Sequence, residues 1–319
     1  MTRSLLVTRP LPDTVLDAAR SHFDLTVRGD TGPMTPAEVA TALSEFDALL
    51  PTLGDPLGQE AFLGPIRTQI LANFGVGYNH IDVAAARAAG IVVTNTPGAV
   101  TDATADIAMT LILMTCRRAG EGERLLRAGK WTGWHPTQLL GFHVTAKTLG
   151  IVGMGRIGKA IARRAHLGFG MKIVFHNRSP VAEPGVPATQ LGSLREVMAA
   201  ADVVVVAVPG GPGTRHLIDV DALSAMQPHG YFVNIARGDV VDEAALADAL
   251  KEARIAGAGL DVYEREPSVT PALVELENVT LLPHLGTAAL EVRTAMGLMA
   301  VDNLVAWAER RELPNPVAP

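Results

Sequence analysis

The chain has 319 residues, of which 48% are hydrophobic, 19% are charged and 4% are aromatic, and 27 Lys and Arg against 33 Asp and Glu give a net charge of −6. This length exceeds what a single hydrophobic core usually serves, so two domains are predicted. The acidic balance argues against nucleic acid or an anionic membrane surface as the main partner.

Cysteine usage and the N-terminus indicate where the protein resides. Cys116 is the only cysteine, so a disulfide within the chain is excluded and a reducing compartment fits. The apolar run in MTRSLLVTRP is too short for a signal peptide, and no apolar stretch reaches the roughly 18 residues of a membrane span. We therefore expect a cytoplasmic protein. The nine histidines are scattered, so no metal site is predicted.

The first hundred residues alternate between strand-like and helix-like segments, which predicts a parallel sheet covered by helices. Helices are expected over residues 12–20 and 35–44, and a longer one from about Thr101 to Ala119. The predicted strands are SLLVTR (4–9), FDLTV (23–27), FDALL (46–50), QILANF (69–74) and GIVVTN (90–95).

A second strand–helix series begins near Thr148, and its strands are apolar and β-branched, as strands buried on both faces should be. They are TLGIVG (148–153), KIVF (172–175), DVVVVAV (202–208), YFVNIA (231–236), GAGLDV (257–262) and VTLLP (279–283). A final helix over 287–308 is expected to return to the first domain. The prediction is an α/β protein of two doubly wound, parallel-sheet, Rossmann-like domains, with residues 100–286 inserted in a split domain of residues 1–99 and 287–319.

A glycine-rich stretch follows the first strand of the second series. In GIVGMGRIGKAIARRA, Gly153, Gly155 and Gly158 have the G-x-G-x-x-G spacing, and Arg156 and Ile157 lie within it. The spacing alone is weak, because any tight strand-to-helix turn favours glycines. Here a strand precedes it, an amphipathic helix follows, and another strand comes about twenty residues later. This context predicts a dinucleotide-binding loop whose helix N-terminus faces the phosphates.

The tip of the next strand departs from the pattern of NAD-binding proteins, which usually place Asp or Glu there on the ribose hydroxyls. This chain has Asn177, Arg178 and Ser179. A carboxylate repels a 2′-phosphate, whereas an arginine attracts it. A solvated surface arginine is the alternative interpretation. Together with the glycine motif, the tip predicts NADP(H) as the preferred cofactor, with NAD(H) as the alternative.

Three polar residues follow apolar strands, where open α/β sheets bind ligands. Arg237 follows YFVNIA, Glu266 lies in GLDVYEREP, and His284 follows VTLLP. Taken singly, each residue has an ordinary explanation. Arg237 would pair with a nearby Asp, Glu266 would be a solvated loop acid, and His284 would be a histidine at the end of a strand. Together they suit hydride transfer to a 2-keto acid. Arg offers a bidentate fork for the carboxylate, His donates a proton near neutrality, and a neighbouring Glu stabilises the imidazolium.

This constellation resembles the D-2-hydroxyacid dehydrogenase family, and the resemblance spans nearly the whole chain. The stretches that carry it are NFGVGYNHID (73–82), NTPGAVTDATADIAM (95–109), GIVGMGRIG, NIARGDVVDEAAL, GLDVYEREP and LLPHLGTA. The resemblance implies that the split domain, which is flavodoxin-like, binds the substrate and that the inserted domain binds the dinucleotide.

The resemblance also implies roles for individual residues. Arg237 would bind the substrate carboxylate, His284 would act as acid and base, and Glu266 would be its partner. The backbone of Val76 and Gly77 would hold the substrate carboxylate from the other domain. Residues that match cofactor-contacting positions are Pro209, Ile235, Asp261 and Gly286, and Thr104 is predicted to join them. The family's acidic strand tip is the one departure.

Within the family, WTGWHPTQLLG (131–141) and the Arg/Ser strand tip resemble the glyoxylate and hydroxypyruvate reductases, which are also D-glycerate dehydrogenases. In that branch the tryptophan matching Trp134 reaches the active site of the neighbouring subunit, so a homodimer is expected. Local packing of Trp134 is the alternative. Leu53, in LLPTLGD (49–55), is predicted from its position to form a wall against the substrate's C3.

Three functions remain open from the sequence. The first is NADP(H)-preferring reduction of glyoxylate and hydroxypyruvate, and the second is reduction of bulkier 2-keto acids such as hydroxyphenylpyruvate. The third is a non-catalytic dinucleotide sensor, since the family includes corepressors that bind NAD(H). The presence of Arg237, Glu266 and His284 favours an enzyme over a sensor.

Overall fold

The computed structural model describes residues 2–318, and the chain divides into two compact units. One unit comprises the described residues up to Val100 and from Ala288 onward, and the other comprises Thr101–Thr287. Both units are α/β with one parallel sheet each, as predicted from the alternation of strands and helices.

The unit formed by both ends of the chain has a five-stranded sheet in the order β2-β1-β3-β4-β5. Its strands are β1 (Ser4–Val7), β2 (Asp24–Val27), β3 (Ala48–Leu50), β4 (Ile70–Ala72) and β5 (Val92–Thr94). Its helices are α1 (Asp13–Arg20), α2 (Pro36–Glu45), α3 (Val83–Ala88) and α11 (Leu290–Ala308). Helices α11 and α1 pack closely, since a Cβ on Gly297 would lie 2.5 Å from the Val15 side chain. The last helix therefore belongs to this unit, as predicted.

The inserted unit has a seven-stranded parallel sheet in the order β12-β11-β10-β9-β6-β7-β8. Its strands are β6 (Thr148–Val152), β7 (Lys172–His176), β8 (Ala188–Gln190), β9 (Val203–Val206), β10 (Tyr231–Asn234), β11 (Gly257–Leu260) and β12 (Val279–Leu281). Its helices are α4 (Thr101–Cys116), α5 (Ala119–Arg127), α6 (Arg156–Phe169), α7 (Leu194–Ala200), α8 (Val220–Ser224), α9 (Glu243–Lys251) and α10 (Pro271–Val274).

Strand β9 shows why these strands are apolar throughout. Val204 and Val206 pack in one hydrophobic cluster, whereas Val203 and Val205 pack in another on the opposite face. Alternate side chains of a strand point to opposite faces, so helices on both sides of the sheet require four consecutive apolar residues here.

Two local predictions were wrong. Strand β8 at the sheet edge was not predicted, and the helix expected from about Thr101 to Ala119 ends at Cys116. Arg118 adopts a left-handed conformation with φ of 53° and starts a second helix, α5. The Cys116 carbonyl instead accepts a hydrogen bond from the N–H of Phe142 at 2.6 Å.

Candidate active site

The glycine loop joins β6 to α6 and leaves room for a ligand beside it. Gly153 has a positive φ of 100°, and a Cβ on Gly158 would lie 2.2 Å from the Gly153 carbonyl oxygen, so the helix starts in close contact with the turn. A Cβ on Gly155 would meet no atom within 4 Å. The backbone at Gly155 is therefore open to close approach by another molecule.

Helix α6 begins directly after Gly155 without a capping side chain. Within residues 2–318, no group accepts a hydrogen bond from the N–H groups of Arg156 and Ile157. These donors and the positive end of the helix dipole suit a phosphate. The loop consequently fits the pyrophosphate of a dinucleotide.

The strand tip after β7 is tied to the glycine loop by Asn177. Its Oδ1 accepts a hydrogen bond from the N–H of Met154 at 3.2 Å, and its Nδ2 donates to the Ser179 carbonyl at 2.9 Å. Arg178 and Ser179 are exposed. The tip is thus held beside the phosphate loop while its guanidinium faces solvent.

His284 and Glu266 form a hydrogen-bonded pair at the carboxyl edge of the sheet. Glu266 Oε2 lies 2.8 Å from His284 Nδ1, with 30% and 29% of the two side chains exposed. Glu266 Oε1 also accepts a hydrogen bond from the N–H of Tyr263 at 3.0 Å. The carboxylate is therefore fixed on one ring nitrogen, which leaves Nε2 for another partner.

Asp261 fixes the backbone that carries His284, a role that the sequence did not predict. Its carbonyl accepts from the N–H of His284 at 2.9 Å, and its two carboxylate oxygens accept from Leu285 at 2.6 Å and Gly286 at 2.8 Å. His284 has a positive φ of 54°, a conformation uncommon for residues with a side chain. The bonds to Asp261 stabilise this strained turn and so orient the imidazole.

Arg237 follows β10 and lies close to the loop that carries Glu266. A Cβ on the next residue, Gly238, would lie only 1.8 Å from the Tyr263 carbonyl carbon, so only glycine allows the two loops to touch. Asn234 Nδ2 donates to the Arg237 carbonyl at 2.9 Å, and Arg237 Nη1 donates to the Ala236 carbonyl at 2.7 Å. The sequence did not single out Gly238 or Asn234, because their roles depend on contacts between distant segments.

Burial and charge have opposite effects on the pKa values of Arg237 and Glu266. Burial lowers the pKa of Arg237, although the negative charges of Glu266 and Asp239 oppose this. Burial raises the pKa of Glu266, but the hydrogen bond and charge of His284, the N–H of Tyr263 and the charge of Arg237 outweigh it and leave the pKa below its ordinary value. Glu266 is therefore a carboxylate at neutral pH.

The other residues predicted to touch the cofactor differ in exposure. Pro209 is exposed, whereas Ile235 and Gly286 are buried. Thr104 is also buried, and its hydroxyl donates to the Gly286 carbonyl at 3.2 Å. The side chains of Thr104 and Asp261 thus both bind the turn after His284, and a direct contact of either with the cofactor stays a prediction.

Three further site candidates lie in the five-stranded unit. Val76 and Gly77 are half-buried in the loop after β4, and Leu53 is half-buried in the loop after β3. The Leu53 carbonyl accepts a hydrogen bond from Arg9 Nη1 at 2.7 Å. Buried Asp55, with Oδ1 3.7 Å from Arg9 Nη2, accepts from the Thr52 N–H and fixes the same loop.

The segment between α5 and β6 carries Trp134, which is 79% exposed. Trp131 is 50% exposed and donates from Nε1 to Gln138 within the same segment at 3.3 Å. A Cβ on Gly141 would lie 2.4 Å from the Cys116 carbonyl oxygen, so the end of the segment is pressed against the end of α4. The alternative prediction, that Trp134 packs within its own chain, is wrong.

Within residues 2–318, no helix is long and apolar enough to cross a membrane. No group of three or more His, Cys, Asp or Glu side chains there is placed to hold a metal ion.

A glycine loop on a parallel sheet, with a histidine–carboxylate pair at the same edge, is the arrangement of a nicotinamide-dinucleotide-dependent oxidoreductase. The model of the D-isomer specific 2-hydroxyacid dehydrogenases, NAD binding domain, matches residues 109–286. This protein belongs to the D-isomer specific 2-hydroxyacid dehydrogenase family and is an NAD(P)-dependent oxidoreductase.

The similarity to individual relatives extends over both units. A glyoxylate reductase from Thermococcus kodakarensis is 42% identical over 313 residues, which cover 96% of this chain and 93% of the relative. One from Pyrococcus furiosus is 41% identical over 322 residues, covering 98% and 94%. The crystal structure of an NADPH-dependent glyoxylate/hydroxypyruvate reductase from Sinorhizobium meliloti, in complex with NADP and malonate, has a TM-score of 0.88 and 38% identity and covers 100% of this chain and 97% of that one.

Proposed function

We propose that the protein reduces glyoxylate and hydroxypyruvate to glycolate and D-glycerate, with NADPH as the preferred reductant. The observation that supports this most directly is the His284–Glu266 pair, 2.8 Å apart, with the Arg237 charge close enough to lower the pKa of Glu266. The similarity to two glyoxylate reductases favours glyoxylate as the substrate. The runner-up substrates are bulkier 2-keto acids.

Each of the three side chains has one task in this proposal. Arg237 binds the substrate carboxylate through its guanidinium fork. His284 donates a proton from Nε2 to the keto oxygen, and Glu266 stabilises the imidazolium through Nδ1. A bound nicotinamide supplies the hydride for the carbonyl carbon. In the reverse direction His284 accepts the hydroxyl proton.

Residues of the five-stranded unit also bind the substrate in this proposal. The backbone N–H groups of Val76 and Gly77 bind the substrate carboxylate, and Leu53 limits the space at C3. A leucine wall at C3 and a backbone donor pair suit a two- or three-carbon keto acid better than an aromatic one.

A steady-state assay of NADPH oxidation with a panel of 2-keto acids tests the activity. Glyoxylate and hydroxypyruvate should be reduced with the highest kcat/KM, and hydroxyphenylpyruvate should be poorer. A higher kcat/KM for hydroxyphenylpyruvate would favour the bulkier substrate class. NADPH binding without oxidation of any keto acid would favour the dinucleotide sensor.

The cofactor preference is expected to depend on Arg178. We expect kcat/KM with NADPH to exceed that with NADH by at least about tenfold, a difference of about 1.4 kcal/mol. Arg178→Ala should raise KM for NADPH and leave KM for NADH nearly unchanged, because only the 2′-phosphate needs the guanidinium. Steady-state kinetics with both cofactors measure this.

Arg163→Ala is a matched control, since Arg163 is an exposed arginine on helix α6 and its loss changes the net charge equally. This variant should keep the wild-type ratio of kcat/KM for the two cofactors. A wild-type enzyme that prefers NADH, or an equal effect in both variants, would contradict the proposed role of Arg178.

We also propose that the protein is a homodimer in which Trp134 of one subunit completes the site of the other. Its 79% exposure in a single chain supports this, because a tryptophan buries about 150–250 Å² when it finds a partner. A two-fold dimer places both segments symmetrically, so one interface would complete two sites.

Trp134→Ala should bind NADPH nearly normally but have altered kcat/KM ratios among glyoxylate, hydroxypyruvate and bulkier keto acids, and mixing it with His284→Ala tests the arrangement. In a heterodimer of Trp134→Ala and His284→Ala subunits, one site has both changes and the other has neither, provided that Trp134 acts across the interface. Activity should therefore rise after subunit exchange above that of either parent. Trp131→Ala in place of Trp134→Ala is the control and should itself retain near-wild-type ratios of kcat/KM among keto acids. No gain despite demonstrated exchange would contradict the proposal.

A further inference from the structure

Two asparagine side chains hold three successive carbonyl groups in the loop after β4. Asn73 Nδ2 donates to the carbonyls of Gly75 and Gly77, both at 3.0 Å. Asn95 Nδ2 donates to the Val76 carbonyl at 2.9 Å. The middle carbonyl and its two neighbours are thus each bonded to a side-chain amide.

The asparagines are themselves fixed by backbone bonds. Asn73 is 1% exposed, and its N–H donates to the Thr94 carbonyl at 2.9 Å. The N–H of Asn95 donates to the Asn315 carbonyl at 3.2 Å, and the N–H of Thr96 adds a second bond to the Gly75 carbonyl at 3.1 Å. The side-chain amides of Asn73 and Asn95 are therefore held in place by the backbone that carries them.

The geometry of the peptide bond fixes the direction of each N–H group once the direction of the preceding carbonyl is known. The three peptide bonds are trans, so each N–H points opposite to the carbonyl of the preceding residue. The carbonyls of Gly75 and Gly77 face Asn73, so the N–H groups of Val76 and Tyr78 point away from Asn73. The Val76 carbonyl faces Asn95, so the N–H of Gly77 points away from Asn95. Within residues 2–318, no acceptor bonds these three N–H groups.

We propose that Asn73 and Asn95 are positioning residues for the substrate carboxylate, and that the N–H of Tyr78 is a third donor beside those of Val76 and Gly77. This inference rests on the proposed function, in which the loop binds the carboxylate of a 2-keto acid. Successive backbone N–H groups that point the same way form an anion-binding concavity. The asparagines create it by holding the opposite ends of the peptide dipoles, without touching the substrate.

Removal of the Asn95 side-chain amide should make the loop of residues 75–78 less ordered and weaken its binding of the substrate carboxylate. Asn95→Ala and the nearly isosteric Asn95→Asp, which lacks the donor, should each raise KM for glyoxylate by about tenfold, the low end for hydrogen bonds to a charged group. The dissociation constant of oxalate, measured on the enzyme–NADP⁺ complex, should rise by a similar factor. The dissociation constant of NADPH and kcat should change little.

Thr68→Val is the matched structural control in the same unit. The Thr68 hydroxyl is buried and donates to the Phe46 carbonyl at 2.9 Å. Its loss therefore removes a buried hydrogen bond to a carbonyl outside the loop of residues 75–78. It should lower Tm without changing KM for glyoxylate or the affinity for oxalate. An equal effect of Thr68→Val and Asn95→Ala would overturn the positioning role, as would wild-type KM values in both Asn95 variants.

Amide NMR of the wild-type protein, selectively labelled with ¹⁵N valine, glycine and tyrosine, tests the donors without any substitution. Oxalate should shift the amide protons of Val76, Gly77 and Tyr78 downfield, and an unshifted Tyr78 amide would remove the third donor. Failure of the proposed function looks different, since wild type would then neither reduce glyoxylate nor bind oxalate.

Discussion

His284→Ala is expected to lower kcat for glyoxylate reduction by about two to four orders of magnitude, the usual contribution of a general acid. The reason is that Nε2 is the proposed proton donor to the keto oxygen. The dissociation constant of NADPH should be largely retained, because the glycine loop does not involve His284. Steady-state kinetics and a fluorescence titration of NADPH measure the two quantities.

His229→Ala is a matched control for this prediction. His229 Nε2 also lies 2.8 Å from a carboxylate, that of Asp202, but the pair lies at the opposite, amino-terminal edge of the same sheet. This variant should keep kcat near the wild-type value. A His284→Ala enzyme that retained more than about a tenth of wild-type kcat would exclude His284 as the main proton donor.

Glu266→Gln extends the test to the pH profile. The pKa of Glu266 lies below its ordinary value, so at neutral pH the carboxylate is ionised and favours the protonated imidazole of His284. Loss of this negative charge disfavours the protonated form, and the pH above which reduction declines should move to lower values. An unchanged profile of kcat/KM against pH would remove Glu266 from the mechanism.

Arg237→Ala has the second large expected effect, at least about a hundredfold lower kcat/KM for glyoxylate, as expected when one partner of a buried charge pair is removed. The loss should appear mainly as a higher KM, because the guanidinium is proposed to bind the substrate carboxylate rather than the reacting carbonyl. The dissociation constant of oxalate should rise in parallel and that of NADPH should not.

Arg237→Lys separates the charge from the shape of the guanidinium. A lysine keeps the positive charge but offers no planar fork, so recovery of only a small part of the lost kcat/KM supports bidentate binding. Full recovery would mean that charge alone suffices. Wild-type KM in Arg237→Ala would contradict the proposed role of Arg237 altogether.

Much of the fold was predictable because strands and helices show in the pattern of apolar residues along the sequence. The run Val203–Val206 is apolar throughout because both faces of β9 are covered. Strand β8 was missed because Ala188–Gln190 is short, lies at the sheet edge and has mostly exposed side chains. The break after Cys116 has no glycine or proline to mark it, and it depends on the contact with Phe142, distant in sequence.

The same division holds for the candidate site. The positions of Arg237, Glu266 and His284 after apolar strands, and the contact between His284 and Glu266, were predictable because strand ends are local features of the sequence. Two contacts were not predictable: the hydrogen bonds from Leu285 and Gly286 to the Asp261 carboxylate, which we call the Asp261 clamp, and the contact of Gly238 with the Tyr263 backbone. Each joins loops separated by more than twenty residues. The peptide directions set by Asn73 and Asn95 likewise depend on which side-chain amide faces which carbonyl.

The clamp at Asp261 lies next to a place where the chain leaves one unit for the other. The polypeptide crosses between the units after Val100 and again after Thr287, one residue beyond the clamped Gly286. Asp261 holds the N–H groups of His284, Leu285 and Gly286 immediately before the chain leaves this unit. The orientation of the proposed proton donor is therefore set within the inserted unit, by the end of the strand that precedes Asp261.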